Sequence, residues 1–448
     1  MRKAQHPLRV LLITRYFAPS QAVGAVRPAK LVNALRSRGH HVTVVTATSG
    51  DSAAGAPLPG VLRVRPRRSL RDVLVGAKGL FARGKSPGTS ARNPTRSNQR
   101  RTQRSRLRSI ALSFAWLPDD QQGFILPATV KAVDVATENQ FDLILTSAPP
   151  FSTHVCGIAT RILTGLPWVA EFRDPWIVDG DATAVVNPIA SAINRSLEKW
   201  CLQLSDQVVA VTARTSELLS TKRSVLGKSD AWCFLNGIDS RPSAVLGQRV
   251  AGPIRVIHAG NLYGGRDPRP FLYSIASLRR KGMLPNEGVV IDFVGEVDGI
   301  DGKSLRDLVR ELQLETLVHL HGRASHEVSL RLQAQADVLL LLAQRQPIQV
   351  PNKLYEYLGA EKPILAFVDA DGESADMLRS AEGHFIVSDA SDDTDTVVQL
   401  ALASPLRGWR PRNPERLAEW STEVQFQRYV DALVDRFGDA TRGRPARA

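Results

Sequence analysis

The chain has 448 residues, of which 43% are hydrophobic, and it carries 58 basic and 44 acidic side chains. This length allows two or three domains with sizeable cores. No apolar stretch approaches the roughly 20 residues of a membrane-spanning helix, and the short apolar run after the N-terminus lacks a convincing cleavage site. The cysteines Cys156, Cys201 and Cys233 show neither metal-ligand spacing nor an even disulfide framework. We therefore expect a cytoplasmic protein with reduced thiols.

The excess of positive charge is concentrated in one segment. Residues 63–108 contain 15 basic side chains and one acidic one, whereas the rest of the chain has 43 of each sign. Because the segment is poor in apolar residues, we expect a disordered or loose insertion. It is either a solvated loop or a site that attaches the protein peripherally to an anionic membrane, where each Lys or Arg contributes about 1 kcal/mol. A specific nucleic-acid partner is not expected, since only Phe81 is available to stack on bases.

In the first half of the chain, short apolar runs alternate with amphipathic segments. Leu8–Thr14 and His41–Thr46 predict buried strands on either side of a helix over residues 25–38. Further strands are predicted at Leu143–Thr146, Trp168–Phe172 and Gln207–Val211. This alternation is typical of a Rossmann-like parallel sheet, although the first loop contains no GxGxxG motif.

A second alternating series follows a Pro- and Gly-rich stretch over residues 240–252, which we interpret as a hinge. Its strands are predicted at Arg255–Ala259, Val289–Val294, Val318–His321, Val338–Leu342 and Phe385–Val387. We therefore expect an α/β protein with two Rossmann-like domains facing across a cleft. Their predicted bounds are 1–240 and 253–415, and a C-terminal helix with a tail follows over 416–448.

The stretch 350–367 predicts a helix followed by a buried strand. Apolar residues recur along it at helical spacing, while Lys353 and Glu356 project together from the first turn. The amino-terminal end of a helix suits a phosphate, and a carboxylate can accept the two hydroxyl hydrogen bonds of a ribose. Two interpretations stay open for these residues alone: a nucleotide-sugar site, or an ordinary amphipathic helix with solvent-facing charges.

Other candidate residues follow the predicted strands of the second half. Glycines allow a ligand to approach the backbone, and cations neutralise a diphosphate. These residues are Gly260, Asn261, Arg266, Gly295, Glu296, Gly322 and Arg323. Arg266 and Lys353 are the natural pair for a diphosphate. Each alone would be interpreted as a surface cation, but their positions on separate loops of one sheet edge favour a site.

Taken in order, these motifs resemble the family 4 (group 1) retaining glycosyltransferases of the GT-B fold over nearly the whole chain. The residues that carry the resemblance are Leu8–Thr14 with Pro19 and Gly24, Leu143–Pro150, Glu171–Trp176, Asn236–Asp239, Gly260–Leu262 and Pro351–Tyr357. The Pro-Pro turn and the Arg-Asp-Pro-Trp sequence are most similar to bacterial members that act in surface or exopolysaccharide assembly. The resemblance implies a nucleotide-sugar donor, a glycan or lipid-linked acceptor, no metal or other cofactor, and a C-terminal helix that crosses back to the first domain.

The resemblance also implies roles for individual residues. Glu356 matches the carboxylate that binds the ribose hydroxyls, and Arg266 stands where the family has a diphosphate-binding lysine. Gly24 matches a loop glycine that closes over the donor phosphates and the acceptor. The departures from the family pattern are Asn261 in place of an arginine, Ile348 in place of a glutamate that often contacts the donor sugar, and Glu361 in place of a glycine.

Arg173 and Asp174 are the candidates for a catalytic role beside Arg266. Arg173 occupies a position where several relatives have a histidine near the reacting sugar, so the pair would bind hydroxyls of the donor or the acceptor. The alternative is a buried pair that orients a loop. His154, beside the Pro-Pro turn, is interpreted as structural. In retaining members the leaving diphosphate can take the acceptor proton while cations stabilise its charge, so we nominate no nucleophile.

Two other functions stay open. The first is a non-catalytic, basic binding protein on a degenerate GT-B scaffold, which the departures at Asn261, Ile348 and Glu361 favour. The second is an epimerase of related two-domain fold, for which the expected paired carboxylates and histidine are lacking in the sequence.

Overall fold

The computed structural model describes residues 6–20, 22–48, 58–68, 117–177, 188–239, 252–262, 266–296, 299–300, 303–388 and 393–438. The chain divides into two compact units. The first comprises residues 1–211, 215–234 and 427–448, and the second comprises residues 212–214 and 235–426. Both units contain a parallel sheet with helices, so the predicted α/β class with two parallel-sheet domains is confirmed.

The sheet of the first unit has the order β3-β2-β1-β4-β5-β6-β7. Its strands are β1 (Arg9–Thr14), β2 (His41–Ala47), β3 (Val61–Val64), β4 (Leu143–Ala148), β5 (Trp168–Phe172), β6 (Gln207–Ala210) and β7 (Trp232–Cys233). Leu12 on β1 lies between Val44 on β2 and Leu145 on β4, so the direction of strand order reverses at β1. In open parallel sheets, ligands bind outside the carboxyl ends of the strands at such a switch point.

Five described helices accompany this sheet. They are α1 (Val26–Ser37), α2 (Ile125–Glu138), α3 (Ser152–Thr164), α4 (Pro188–Leu204) and α5 (Ala213–Ser224). Helix α3 shows how the sequence sets the packing. A Cβ atom at Gly157 would lie 2.5 Å from the Trp168 ring, so only glycine lets the helix approach β5 so closely. Gly165, with φ +68°, then ends the helix in the left-handed conformation.

The predicted start of the basic insertion is wrong. Arg63 and Val64 close strand β3, where Arg63 pairs with Thr46 of β2, and the Arg63 side chain donates a hydrogen bond to the Ala18 carbonyl. The β-branched and apolar residues around Arg63 outweigh its charge at this sheet edge. Residues 69–108, on which the proposed membrane attachment depends, lie outside the described residues.

The second sheet has the order β12-β9-β8-β13-β14-β15. Its strands are β8 (Ile254–Ala259), β9 (Val289–Val294), β12 (Val318–Leu320), β13 (Val338–Ala343), β14 (Ile364–Val368) and β15 (Phe385–Val387), and a separate antiparallel pair is formed by β10 (Gly299–Ile300) and β11 (Lys303–Ser304). Val256 on β8 lies between Ile291 and Val338. The switch point of this sheet is therefore between β8 and β13.

Apart from the last of them, the described helices of the second half contribute residues to apolar clusters on the two faces of this sheet. They are α6 (Arg269–Arg280), α7 (Leu305–Glu311), α8 (His326–Gln335), α9 (Asn352–Leu358), α10 (Glu373–Ala381), α11 (Thr394–Ala403), α12 (Pro414–Glu419) and α13 (Thr422–Phe437), of which α13 belongs to the first unit from Gln427 onward. One apolar cluster includes Phe271 of α6, and the other includes Leu354 and Tyr357 of α9. The apolar strands therefore have both faces covered, as parallel sheets require.

The turn after α9 contains Glu361, one of the departures from the family pattern. The helix ends at Leu358, ahead of Pro363. Glu361 then adopts φ +52°, in the left-handed region that favours glycine. Relatives with glycine at this position would satisfy this geometry without strain, whereas here a glutamate occupies it.

None of the helices in the described part of the chain has the length and apolar character needed to span a bilayer.

Candidate functional site

The carboxyl ends of β8 and β9 are joined directly through two glycines. The Gly260 N–H donates to the Val294 carbonyl at 2.8 Å. Gly295 has φ +138°, and a Cβ atom there would lie 2.3 Å from the carbonyl oxygen of Gly260. Any side chain at position 295 would therefore displace the loop after β8. Both glycines hold these two loops together at the switch point of the sheet.

Asn261 fixes the same junction with its side chain. Its Oδ1 accepts the N–H of Glu296 at 2.9 Å, and its Nδ2 donates to a Glu296 carboxylate oxygen at 3.3 Å. The N–H of Leu262 donates to the Glu296 carbonyl at 2.9 Å. At the position where the family has an arginine, this chain therefore has an amide that links two loops.

Arg266 and Lys353 lie close to one buried imidazole, that of His258. The Arg266 Nη1 donates to the Asn261 carbonyl at 3.3 Å, while His258 Nδ1 is hydrogen-bonded to the Leu340 carbonyl at 3.1 Å. Burial lowers the pKa of His258 to about 4, and the positive charges of Arg266 and Lys353 act in the same direction. The two cations predicted to bind a diphosphate thus act electrostatically on the same imidazole, although they follow different strands.

Helix α9 places Lys353 and Glu356 at this edge. Its apolar face is buried, and the Tyr357 hydroxyl accepts the N–H of Ala259 at 2.9 Å, which ties the helix to the end of β8. Lys353 Nζ lies 2.6 Å from Glu356 Oε2, with the two side chains 25% and 17% exposed. The predicted shared side of the first turn is therefore observed. Because α9 has only seven residues, its dipole is small, and the side-chain cations carry the attraction for an anion.

Gln333 on α8 also contacts the residues at the carboxyl edge of the second sheet, and the sequence did not indicate this. Its Nε2 donates to Glu356 Oε2 at 3.2 Å. Ile348, between β13 and α9, presents an apolar side chain that offers no hydrogen bond to a sugar hydroxyl.

In the first unit, Arg173 connects two loops at the switch point between β1 and β4. Its Nη1 donates to the Gly24 carbonyl at 2.7 Å, and its Nη2 donates to the Pro149 carbonyl. Burial lowers the pKa of Arg173, and the nearby carboxylates of Glu171 and Asp174 oppose this effect. The structure thus brings Gly24 and Arg173 together, with the guanidinium directed at backbone carbonyls. Arg173 thus orients two loops through their backbone carbonyls, whereas Asp174, the other member of the buried pair that the sequence left open as an alternative, is partly exposed.

A buried ion pair lies behind Arg173. Arg27 Nε lies 3.0 Å from Glu171 Oε2, and the two side chains are 4% and 0% exposed. The Ser147 hydroxyl donates to the other Glu171 oxygen at 2.7 Å, and the Arg27 guanidinium lies 6.0 Å from the centre of the Tyr429 ring. Sequence reasoning assigned no role to Arg27 or Ser147. The sequence did contain one signal for such partners. Glu171 lies inside an otherwise apolar strand, and a buried carboxylate needs partners.

His154 is enclosed in the core of the first unit. Its Nδ1 is 2.9 Å from the Thr146 hydroxyl, and its ring centre is 4.4 Å from that of Phe172. Burial, with a smaller effect from Arg173, lowers its pKa to about 3. The imidazole therefore stays neutral near pH 7, as expected for the structural role inferred from the sequence.

In the described ranges, no group of three or more His, Cys, Asp or Glu side chains is arranged to hold a metal ion.

Two parallel-sheet α/β units with these topologies define the GT-B fold. Residues 24–225 match the glycosyl transferase 4-like domain. No curated protein matches the sequence significantly. The domain match and the fold together support a glycosyltransferase.

Solved structures cover almost the whole chain. Sucrose-phosphate synthase from Thermosynechococcus elongatus is similar at 16% identity and a TM-score of 0.61, covering 96% of this chain and 99% of that one. HepE from Anabaena, in complex with UDP-glucose, has 15% identity and a TM-score of 0.53, with 96% and 100% covered. The lipopolysaccharide outer core galactosyltransferase WaaB has 12% identity and a TM-score of 0.58, with 96% and 100% covered. At these identities the likeness shows the fold.

Proposed function

We propose that the protein is a retaining glycosyltransferase that moves a hexosyl or N-acetylhexosaminyl group from a nucleotide sugar to a glycan or lipid-linked acceptor. The observation that carries this proposal is the Lys353–Glu356 pair at the switch point of the second sheet, together with Arg266 after β8, whose charge acts on the same buried imidazole as that of Lys353. Two cations suit a diphosphate, and a carboxylate suits the ribose hydroxyls. The UDP-glucose bound to HepE supports a nucleotide-sugar donor for this fold.

The proposed reaction uses the cations to stabilise the leaving group. Arg266 and Lys353 neutralise the charge that develops on the diphosphate as the bond between the sugar C1 and the phosphate oxygen breaks. The acceptor hydroxyl attacks C1 from the same face, and its proton passes to the departing phosphate oxygen. The C1–O bond to the acceptor replaces the C1–O bond to the phosphate, so configuration is retained without an enzyme nucleophile. In this proposal no metal or other cofactor takes part.

The first unit would bind the acceptor. Arg173 holds the Gly24 and Pro149 carbonyls in place, so its proposed catalytic contribution is to fix the loops on which substrate hydroxyls would bind. Asp174, partly exposed beside it, is proposed to accept hydrogen bonds from those hydroxyls. A role in cell-surface polysaccharide biosynthesis is supported by the likeness to an outer core galactosyltransferase. Residues 69–108 would then attach the enzyme to the anionic inner face of a membrane.

Donor binding tests the site assignment. We expect Arg266→Ala and Glu356→Gln each to weaken the binding of a nucleotide sugar about tenfold or more, because each removes a charge-assisted contact. Isothermal calorimetry with UDP-, GDP- and ADP-sugars would measure this. Arg310→Ala on α7 is the matched control, since Arg310 is an exposed cation paired with Asp307 within one helix. Unchanged affinity in both site variants would overturn the assignment.

A non-catalytic binding protein on the same scaffold is the second candidate. It is favoured by Asn261, whose amide is engaged with Glu296, and by the apolar Ile348. The purified protein would then bind the nucleotide sugar without releasing the nucleoside diphosphate. Release of that product, with or without an added acceptor, excludes this candidate.

A further inference from the structure

Gln333 is a buried polar side chain with a defined set of partners. It lies on α8, which begins after Ser325 accepts the N–H of Val328 in an N-terminal cap. Its exposed fraction is 0%. The Nε2 atom donates to Ser329 Oγ at 3.1 Å, one helical turn earlier, and to Glu356 Oε2 at 3.2 Å on α9. A buried amide is costly without partners, so these bonds define where its donors point.

The carboxylate of Glu356 is held by two residues of different character. Lys353 Nζ and Gln333 Nε2 contact the same oxygen, Oε2, at 2.6 Å and 3.2 Å. Lys353 is one-quarter exposed and has a flexible four-carbon stem. Gln333 is enclosed and anchored to Ser329. In the proposed function Lys353 turns to the diphosphate, which leaves Gln333 as the fixed contact to Oε2.

We propose that Gln333 is a positioning residue for ribose recognition. It holds the Glu356 carboxylate in the orientation that accepts the ribose hydroxyls after Lys353 has moved to the diphosphate. This inference rests on the proposed function, because it takes Glu356 as the group that binds the ribose. Gln333 acts through Glu356 and need not touch the ligand.

The chemistry of the probe separates this role from a purely structural one. Ribose hydroxyls are present in UDP, GDP and ADP, and they are absent from the matching 2′,3′-dideoxy nucleotides and from pyrophosphate. A positioning residue for Glu356 affects only ligands that have those hydroxyls. A residue that merely packs α8 against α9 would affect every ligand of this edge alike.

The experiment measures affinity by calorimetry for UDP, GDP and ADP, for their 2′,3′-dideoxy forms and for pyrophosphate. We expect Gln333→Met, which keeps the side-chain length and removes the donors, to weaken ribonucleotide binding about tenfold. Affinity for the dideoxy nucleotide and for pyrophosphate should stay within about twofold of the wild type. Gln335→Met, at an exposed position of the same helix, is the matched control and should behave as wild type.

Equal weakening of all probes, or no weakening of the ribonucleotide, would overturn the positioning role. If Gln333→Met does not fold, Ser329→Ala removes the second acceptor of Gln333 and makes the same test, with a smaller loss expected for the ribonucleotide alone.

The variant Glu356→Gln separates two possible failures, that of the positioning role of Gln333 and that of the proposed function. If Glu356→Gln weakens ribonucleotide binding and Gln333→Met does not, the positioning role alone is wrong. If Glu356→Gln changes nothing, or the wild type binds none of the probes, the ribose site itself is wrong. If both single variants weaken binding, the double variant should lose no more than Glu356→Gln, because the two residues act as one unit.

Discussion

The two sheets have the same strand order around their switch points, but their carboxyl edges use charge differently. In the first unit, Arg27 and Glu171 are almost fully buried, and Arg173 is directed at two backbone carbonyls. In the second unit, Lys353 and Glu356 are paired at a partly exposed position. The same topology thus supports one edge whose charged side chains bind other parts of the protein and one whose charges can exchange partners.

This difference follows from desolvation. A buried ion pair is retained only when each charge has partners, since removal of one leaves the other uncompensated. Glu171 therefore anchors Arg27, which lies in the first turn of α1 shortly after Gly24. A partly exposed pair such as Lys353–Glu356 contributes little to stability, so it can be broken by a ligand at small cost. The buried charges of the first edge hold parts of the protein in fixed positions. The partly exposed charges of the second edge are suited to bind an anion that has hydroxyl groups.

The largest expected effect tests the first edge. Glu171→Ala should lower the free energy of unfolding by about 3–5 kcal/mol, because it leaves Arg27 buried without its carboxylate. Denaturant unfolding followed by tryptophan fluorescence would measure this. Asp307→Ala, which breaks the exposed pair with Arg310, is the control and should change stability by less than about 1 kcal/mol. A loss below about 1 kcal/mol for Glu171→Ala would show that the pair is not the anchor of this edge.

A second prediction concerns pH and one buried imidazole at the second edge. The pKa of His258 is about 4 in the folded protein and 6.5 in its ordinary state, so the unfolded chain takes up the proton more readily. Above about pH 6.5 the His258 imidazole is neutral in both states and does not lower the free energy of unfolding. As the pH drops from there towards 4, protonation of the unfolded chain lowers the free energy of unfolding by about 3 kcal/mol in total. Unfolding at pH 7, 5.5 and 4.5 would measure it.

His258→Asn should flatten this dependence, whereas His154 in the first unit and His384 in the second, with pKa values of about 3 and 4, continue to act in both wild type and variant. An identical pH profile for the wild type and His258→Asn would contradict the prediction.

Most of the fold was predictable because buried parallel strands are continuous apolar runs. The strands β5, β9 and β15 have the predicted bounds. Helices α5 and α10 were not predicted, because their sequences carry many polar residues, and α5 also shows little of the apolar spacing that indicates a helix. Tertiary packing stabilises both helices instead, and α10 also has acidic residues in its first turn, which interact favourably with the helix dipole.

Direct side-chain contacts in the candidate site were predictable only where the two partners are near in sequence. Lys353 and Glu356 are three residues apart, so helical spacing alone placed them together. Gln333 is 23 residues from Glu356, and Arg27 is 144 residues from Glu171. No periodicity relates such pairs, and only the sheet topology brings them into contact. The motif around Gly260 was recognised, but the use of the Asn261 amide required the position of Glu296.

The smallest expected effect concerns Asn261. It tests whether the Asn261 amide serves the protein, through Glu296, or contacts the nucleotide. Asn261→Ala removes two hydrogen bonds to Glu296 and should cost about 1 kcal/mol of stability. Affinity for UDP should fall less than about threefold, because the amide binds the protein rather than the ligand. Calorimetry and denaturant unfolding would measure both quantities. Asn413→Ala removes an N-cap at α12 and should give a similar loss of stability with unchanged affinity. A tenfold loss of affinity for Asn261→Ala alone would place its amide on the nucleotide, in the role the family gives to arginine, and the second edge would then have a third polar group that exchanges partners.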